Sequence, residues 1–160
     1  MKTLPSRLFP NCTFSAEKSA GFYDITPEGF DHVVSLFLDD EAVKDDKAIE
    51  NAARFFDRVH EWDAFGRNAF MSAEEGSEDA DMIQEYFDFF REEVPEVFDA
   101  EDVAALSVPD MVKKLKLRGM AACGNGDAQT FWVDFTLGYD QLLCVHFNHE
   151  SKFDHIAWES

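Results

Sequence analysis

Apolar residues recur at every second position in the last third of the chain and at every third or fourth position in the middle. Phe131, Val133, Phe135 and Leu137 alternate with Thr130, Trp132, Asp134 and Thr136, which predicts a half-buried strand with one core face and one more polar face. Gly124-Asn125-Gly126 is a strong hairpin signal and ends a strand over residues 115–123. Gly138-Tyr139-Asp140 turns the chain into a strand over residues 142–147, and His149-Glu150-Ser151 turns it again into one over residues 153–158. Three tight turns joining four strands predict an antiparallel meander, because parallel neighbours need long crossovers.

Residues 32–38 are β-branched and aromatic and too few for a buried helix, so they predict a strand. Asp39-Asp40-Glu41 ends it and supplies acid for a helix N-terminus. Over residues 42–63, Ile49, Ala52, Ala53, Phe56 and Val59 mark one helical face. Trp62, Phe65, Ala69 and Phe70 continue it, with Gly66 a point of breakage or bending. A loop follows over residues 72–77. Ser77 then caps the clearest helix of the chain, with Glu78, Asp79 and Asp81 in its first turn and Ile83, Tyr86, Phe87, Phe90 and Val94 as its inward stripe. Phe89 falls off that stripe.

Pro95 disturbs the pattern, residues 100–106 add a turn or two, and Ser107-Val108-Pro109-Asp110 opens a short helix reaching residue 114. The first thirty residues are irregular, punctuated by Pro5, Pro10, Gly21, Pro27 and Gly29, with Leu4, Leu8, Phe9 and Phe14 able to dock on a core. Within them, residues 21–25 suggest a short strand and Thr26-Pro27-Glu28 a single helical turn. The expectation is one α+β domain over residues 1–160, an antiparallel meander sheet with helices packed on one face.

Composition narrows the function classes. A chain of 160 residues that is 46% hydrophobic and holds 17 Phe has apolar mass that a disordered acidic chain lacks. No apolar run approaches the roughly 20 residues that cross a bilayer, and residues 1–9 have no apolar stretch behind their basic residues, so neither a membrane nor export is expected. The net charge of −19 repels a phosphate backbone and argues against direct nucleic-acid binding. Cys12, Cys123 and Cys144 are odd in number and widely spaced, which reads as reduced thiols in a cytoplasmic protein.

The charge is polarised. Thirteen acids between residues 74 and 102 face only Arg91, so this segment carries twelve of the nineteen net negative charges. Lys113, Lys114, Lys116 and Arg118 sit together with no acid among them, as a counterweight to the acidic helix or a shield for a sheet edge. Acid crowded on a helix costs self-repulsion that interspersed lysines would avoid. It also speeds association with a cationic partner and discriminates against wrong ones.

Other constellations are weaker. His146, His149, Asp154 and His155, with Cys144 nearby, are zinc-type ligands near one hairpin, although no Cys-x-x-Cys or His-Glu-x-x-His accompanies them. His146 and His149 lie across a strand end, where their rings face different ways, while Cys144 and His146 share a face. No pair among the many carboxylates stands out for acid/base work, and Gly124-Asn125-Gly126 lacks the helix and lysine of a phosphate loop. Trp132 has no neighbouring cations and reads as a cover for helix side chains.

The run Gln141-Leu142-Leu143-Cys144-Val145-His146-Phe147-Asn148, a turn, and Phe153-Asp154-His155-Ile156-Ala157-Trp158-Glu159-Ser160 resembles the ending of a bacterial family of small acidic proteins of unknown function. In that family a terminal hairpin closes on a Glu-Ser pair, as Glu159-Ser160 does here; Phe131, Asp134, Phe55, Phe56, His60 and Trp62 fit the same pattern. Ser151 stands where the family has glycine. In size and acidity such proteins look like the immunity proteins that bacteria keep beside secreted toxins.

The sequence thus predicts a non-enzymatic acidic binding protein for a basic protein partner, of which a toxin is the example the resemblance supplies. Its steering groups are Glu78, Asp79, Asp81, Glu85, Asp88, Glu92 and Glu93, and no cofactor, resident metal or catalytic residue is expected. The alternatives are a small metal-dependent hydrolase using His146, His149, Asp154 and His155, and a nucleic-acid mimic whose carboxylates replace phosphates.

Overall fold

The computed structural model describes residues 2–15 and 20–160. Six strands form the main sheet in the order β3 (Ala20–Ile25), β4 (Val34–Asp39), β5 (Lys116–Cys123), β6 (Thr130–Gly138), β7 (Gln141–Phe147) and β8 (Phe153–Glu159). β4 and β5 run parallel, as strands separated by a long helical crossover can; the other neighbouring pairs are antiparallel. The four C-terminal strands form the meander that the turn residues predict. Tyr139 and Asp140 both take positive φ, 57° and 56°, which matches the twist of the β6–β7 hairpin.

The N-terminal region is more regular than its prolines suggest. β1 (Lys2–Thr3) pairs with β2 (Thr13–Phe14) in a second small sheet, and β3 extends the main one. Leu4, Phe9 and Phe14 are buried as expected, while Leu8 is 48% exposed. Thr26-Pro27-Glu28 forms no helix; Phe30 N–H donates to the Pro27 carbonyl and closes a turn.

The rod expected over residues 42–63 is broken into α1 (Asp40–Val43), α2 (Asp46–Phe56) and the start of α3 (Val59–Ser72). The acids explain the breaks, because each starts or ends a helix. Asp39 caps α1 by accepting from Ala42 N–H, and Asp45 caps α2 by accepting from Lys47 and Ala48. Beyond α2, the Asp57 carboxylate accepts from Ser6 Oγ and from the backbone N–H of Arg7 and Leu8, which ties the N-terminal loop to the helix end. Trp62 Nε1 donates to the Phe55 carbonyl, satisfying an acceptor at the end of α2.

Gly66 does not break α3. It is where the helix comes closest to the sheet, for a Cβ there would fall on the Phe135 ring.

All helices meet the sheet on the same face. Phe55 of α2 stacks on Phe131 at 4.7 Å, and Trp62 and Phe70 of α3 meet Phe147 and Phe135. α4 (Glu78–Glu93) lies along the edge strand β8, with Tyr86 5.8 Å from Trp158. α5 (Val108–Val112) adds Met111 and Val112, and its Ser107 and Asp110 form a capping box. Each buried Phe or Leu on this face contributes about 1.5–3 kcal/mol. The architecture is α+β, a mostly antiparallel sheet with helices on one face. Among the described residues, no helix is long and apolar enough to cross a membrane.

Candidate functional site

Two surfaces emerge from this arrangement. The first is the outer flank of α4. Ser77 accepts from Ala80 N–H at 3.1 Å and starts the helix; Ile83, Tyr86, Phe87 and Phe90 bury the inner side. Phe89 is half-buried, 5.5 Å from Trp158. Asp81, Glu85, Asp88 and Glu92 follow at steps of four, three and four, so they line one flank away from the core.

The seven acids singled out by the sequence do not behave alike. Asp79 is half-buried and its carboxylate accepts from Ile156 N–H of β8 at 2.9 Å. Asp88 is held by Gln84 Nε2 and paired with Arg91 at 3.4 Å. Glu78, Asp81, Glu85, Glu92 and Glu93 are exposed and have no ion-pair partner among the described residues.

Arg91 is turned to internal work, because its other terminal nitrogen donates to the Leu106 carbonyl at 2.8 Å. Among the described residues, no lysine or arginine of the basic strip forms an ion pair with an acid of α4. Lys116 and Arg118 lie on β5, an interior strand rather than a sheet edge, and Arg118 pairs with Asp140 at 3.5 Å.

Beside the start of α4, a groove of about 430 Å³ runs between α3 and β8. Phe65, Ala69, Phe153 and Ile156 give it an apolar floor, and Glu74 and Asp79 line it as well. The Phe65 and Phe153 rings, 5.9 Å apart, are 37% and 41% exposed, large values for aromatic side chains.

The second surface is the sheet face that the helices leave uncovered. Trp132, expected to cover helix side chains, lies here instead, because Phe131 and Val133 point the other way. Register sets Trp132 opposite His146, Asp134 opposite Cys144 and His146 opposite His155. His146 and His155 stack face to face at 4.5 Å, and Asp154 holds His155 Nδ1 at 2.7 Å. His149 does not join them; it sits at the β7–β8 turn, facing Asp127 and Glu150.

The constellation predicted from His146, His149, Asp154 and His155 is therefore split, and a different one replaces it. Cys144 Sγ, a ring nitrogen of His146 and a carboxylate oxygen of Glu159 lie within 4.8 Å of one another. The signal for Glu159 was its even spacing from His155 and Ala157 on a strand paired to β7, but only the register brings it beside Cys144.

Burial controls the chemistry of this cluster. It raises the Asp134 carboxyl to about 6, against the pull of the Cys144 thiol toward the charged form. It also pushes the Cys144 thiol far above its ordinary value, reinforced by the negative charge of Asp134. His146 is held below its usual range by burial and by the neighbouring His155, so its imidazole is neutral. Cys144 is thus a protonated thiol at neutral pH and no free nucleophile. Burial likewise raises Cys12 to about 11 and Cys123 to about 12.

Compared with known proteins, the chain matches no family model, no curated protein and no solved structure.

Proposed function

We propose that the chain is a binding protein for a basic protein partner, engaged through the outer flank of α4. The observation that carries this reading is a line of exposed carboxylates for which the protein supplies almost no cation of its own. Five of the seven acids are both exposed and without an ion-pair partner among the described residues, and the one arginine of the segment is held by Asp88 and Leu106. Such a surface attracts a cationic partner over roughly a Debye length, about 8–10 Å at ordinary salt, and steers its approach.

The groove beside the start of the helix supplies the complementary part of an interface, apolar aromatic area next to acid. A toxin neutralised by this protein is the partner suggested by the resemblance of the terminal hairpin to small acidic bacterial proteins.

Pull-down against the proteins encoded beside its gene, repeated at rising salt, tests the reading. The expected result is a basic partner whose binding weakens steadily with salt and drops further in the variant D81K/E85K/E92K. A partner that binds with no salt dependence, or equally well to that variant, would overturn the electrostatic mechanism.

A further inference from the structure

The uncovered sheet face gathers Asp134, Cys144, His146 and Glu159, with Arg118 beside Asp134 but paired with Asp140. Glu159 Oε2 is 3.7 Å from Cys144 Sγ, and Glu159 Oε1 is 3.7 Å from His146 Nε2. Ligands bound to zinc at about 2.0–2.3 Å in a tetrahedron are separated by about 3.3–3.7 Å. Glu159 thus reaches Cys144 and His146 through separate carboxylate oxygens, each at about the spacing that coordination requires, and one ligand atom from each of the three residues lies within 4.8 Å of the others.

Two buried polar atoms here lack any hydrogen-bond partner: His146 Nε2, which belongs to the triangle, and Oδ1 of Asp134, the residue opposite Cys144. A buried acceptor left unmade costs about 1–3 kcal/mol, so a native structure that keeps two on one face calls for an explanation.

We propose that Cys144, His146 and Glu159 form a binding site for a zinc-class divalent cation, with Asp134 beside it. Sulfur and imidazole donors select zinc or a similar transition ion over magnesium or calcium, which take oxygen. The ion would bind the thiolate, and the displaced thiol proton would pass to solvent, one proton per ion through Cys144. It would give His146 Nε2 the partner it lacks and offset the mutual repulsion of Glu159, Asp134 and the thiolate. The neutral imidazole is the form that ligates. This site is independent of the α4 flank and stands or falls without it.

The test uses the full chain without a histidine tag, stripped with chelator and titrated calorimetrically with Zn²⁺. One ion per chain is expected, with affinity rising as pH rises. Co²⁺ in its place should give a thiolate charge-transfer absorption that C144S abolishes. H146Q and E159Q should each weaken Zn²⁺ binding about tenfold or more, while H149Q, at the turn, should leave it unchanged.

Glu159 is half exposed, so E159Q preserves the fold even where C144S does not. Failure to take up Zn²⁺ overturns the proposal, as does binding that survives E159Q and H146Q undiminished or is lost in H149Q.

Discussion

The carboxylate of Asp79 accepts from the backbone N–H of Ile156, joining the first turn of the acidic helix α4 to the edge strand β8 at 2.9 Å. An edge strand presents unpaired N–H groups that can recruit other strands, and this contact occupies one of them. Asp79 is thus structural, whereas Glu85, six residues on, faces solvent.

D79A should therefore lower stability by about 1–2 kcal/mol in urea unfolding, because a buried donor loses its acceptor. D79N keeps a carbonyl oxygen in place and should lose less. E85A should change stability by no more than about 0.5 kcal/mol. Equal stabilities for D79A and E85A would show that the contact to β8 contributes nothing.

That division within one run of acids marks the limit of what the sequence discloses. Spacing alone places Asp81, Glu85, Asp88 and Glu92 on one flank and Ile83, Tyr86, Phe87 and Phe90 on the other, since a helix fixes direction locally. It also places Cys144 and His146 on one strand face. What spacing cannot supply is register. Whether Glu159 or Asp154 comes beside Cys144 depends on which residues pair across β7 and β8, and that depends on long-range packing. The helix breaks near residues 44 and 57 were hidden for a similar reason. Asp57 ends α2 by holding the backbone of Arg7 and Leu8, about fifty residues earlier in the chain.

Gly66 is the case where local propensity and packing disagree. Alanine is intrinsically better in a helix by about 1 kcal/mol, yet its Cβ would fall on the ring of Phe135, which is fully buried. G66A should nevertheless destabilise by about 1–3 kcal/mol, as overpacking does. Adding F135L should recover part of that loss, giving a coupling energy between the two sites in a double-mutant cycle. A G66A protein as stable as the parent would mean that α3 is free to move off the sheet.

Ser151 occupies the β7–β8 turn with a φ of 61°, where glycine is at ease and other residues are strained. Asn148 frames the turn by accepting from Glu150 and Lys152 N–H through its side chain. S151G should stabilise the protein by about 0.5–1 kcal/mol, the relief of strain exceeding the extra entropy of glycine in the unfolded chain. Thermal unfolding should show a higher midpoint; a lower one would mean that the Ser151 side chain contributes more than its backbone costs.

Asp134 supplies the pH dependence. Its carboxyl is raised to about 6 by burial, above the ordinary value of 3.8 that it regains on unfolding. Below about pH 4 it is protonated in both states and leaves stability unaffected. Between about pH 4 and 6 the unfolded chain releases the proton while the folded one retains it, so stability falls as pH rises. Above about pH 6 the penalty is complete, on the order of 3 kcal/mol.

D134N removes the ionisation while keeping nearly the same shape. In chelator-treated buffer, its stability relative to the parent should rise between pH 4 and 6 and stay level above that. Because the other acids are common to both proteins, the difference isolates this one carboxyl. A difference that is the same at pH 4 and pH 8 would mean that Asp134 ionises as freely in the folded protein as in the unfolded chain, and that the uncovered sheet face is wetter than its burial indicates.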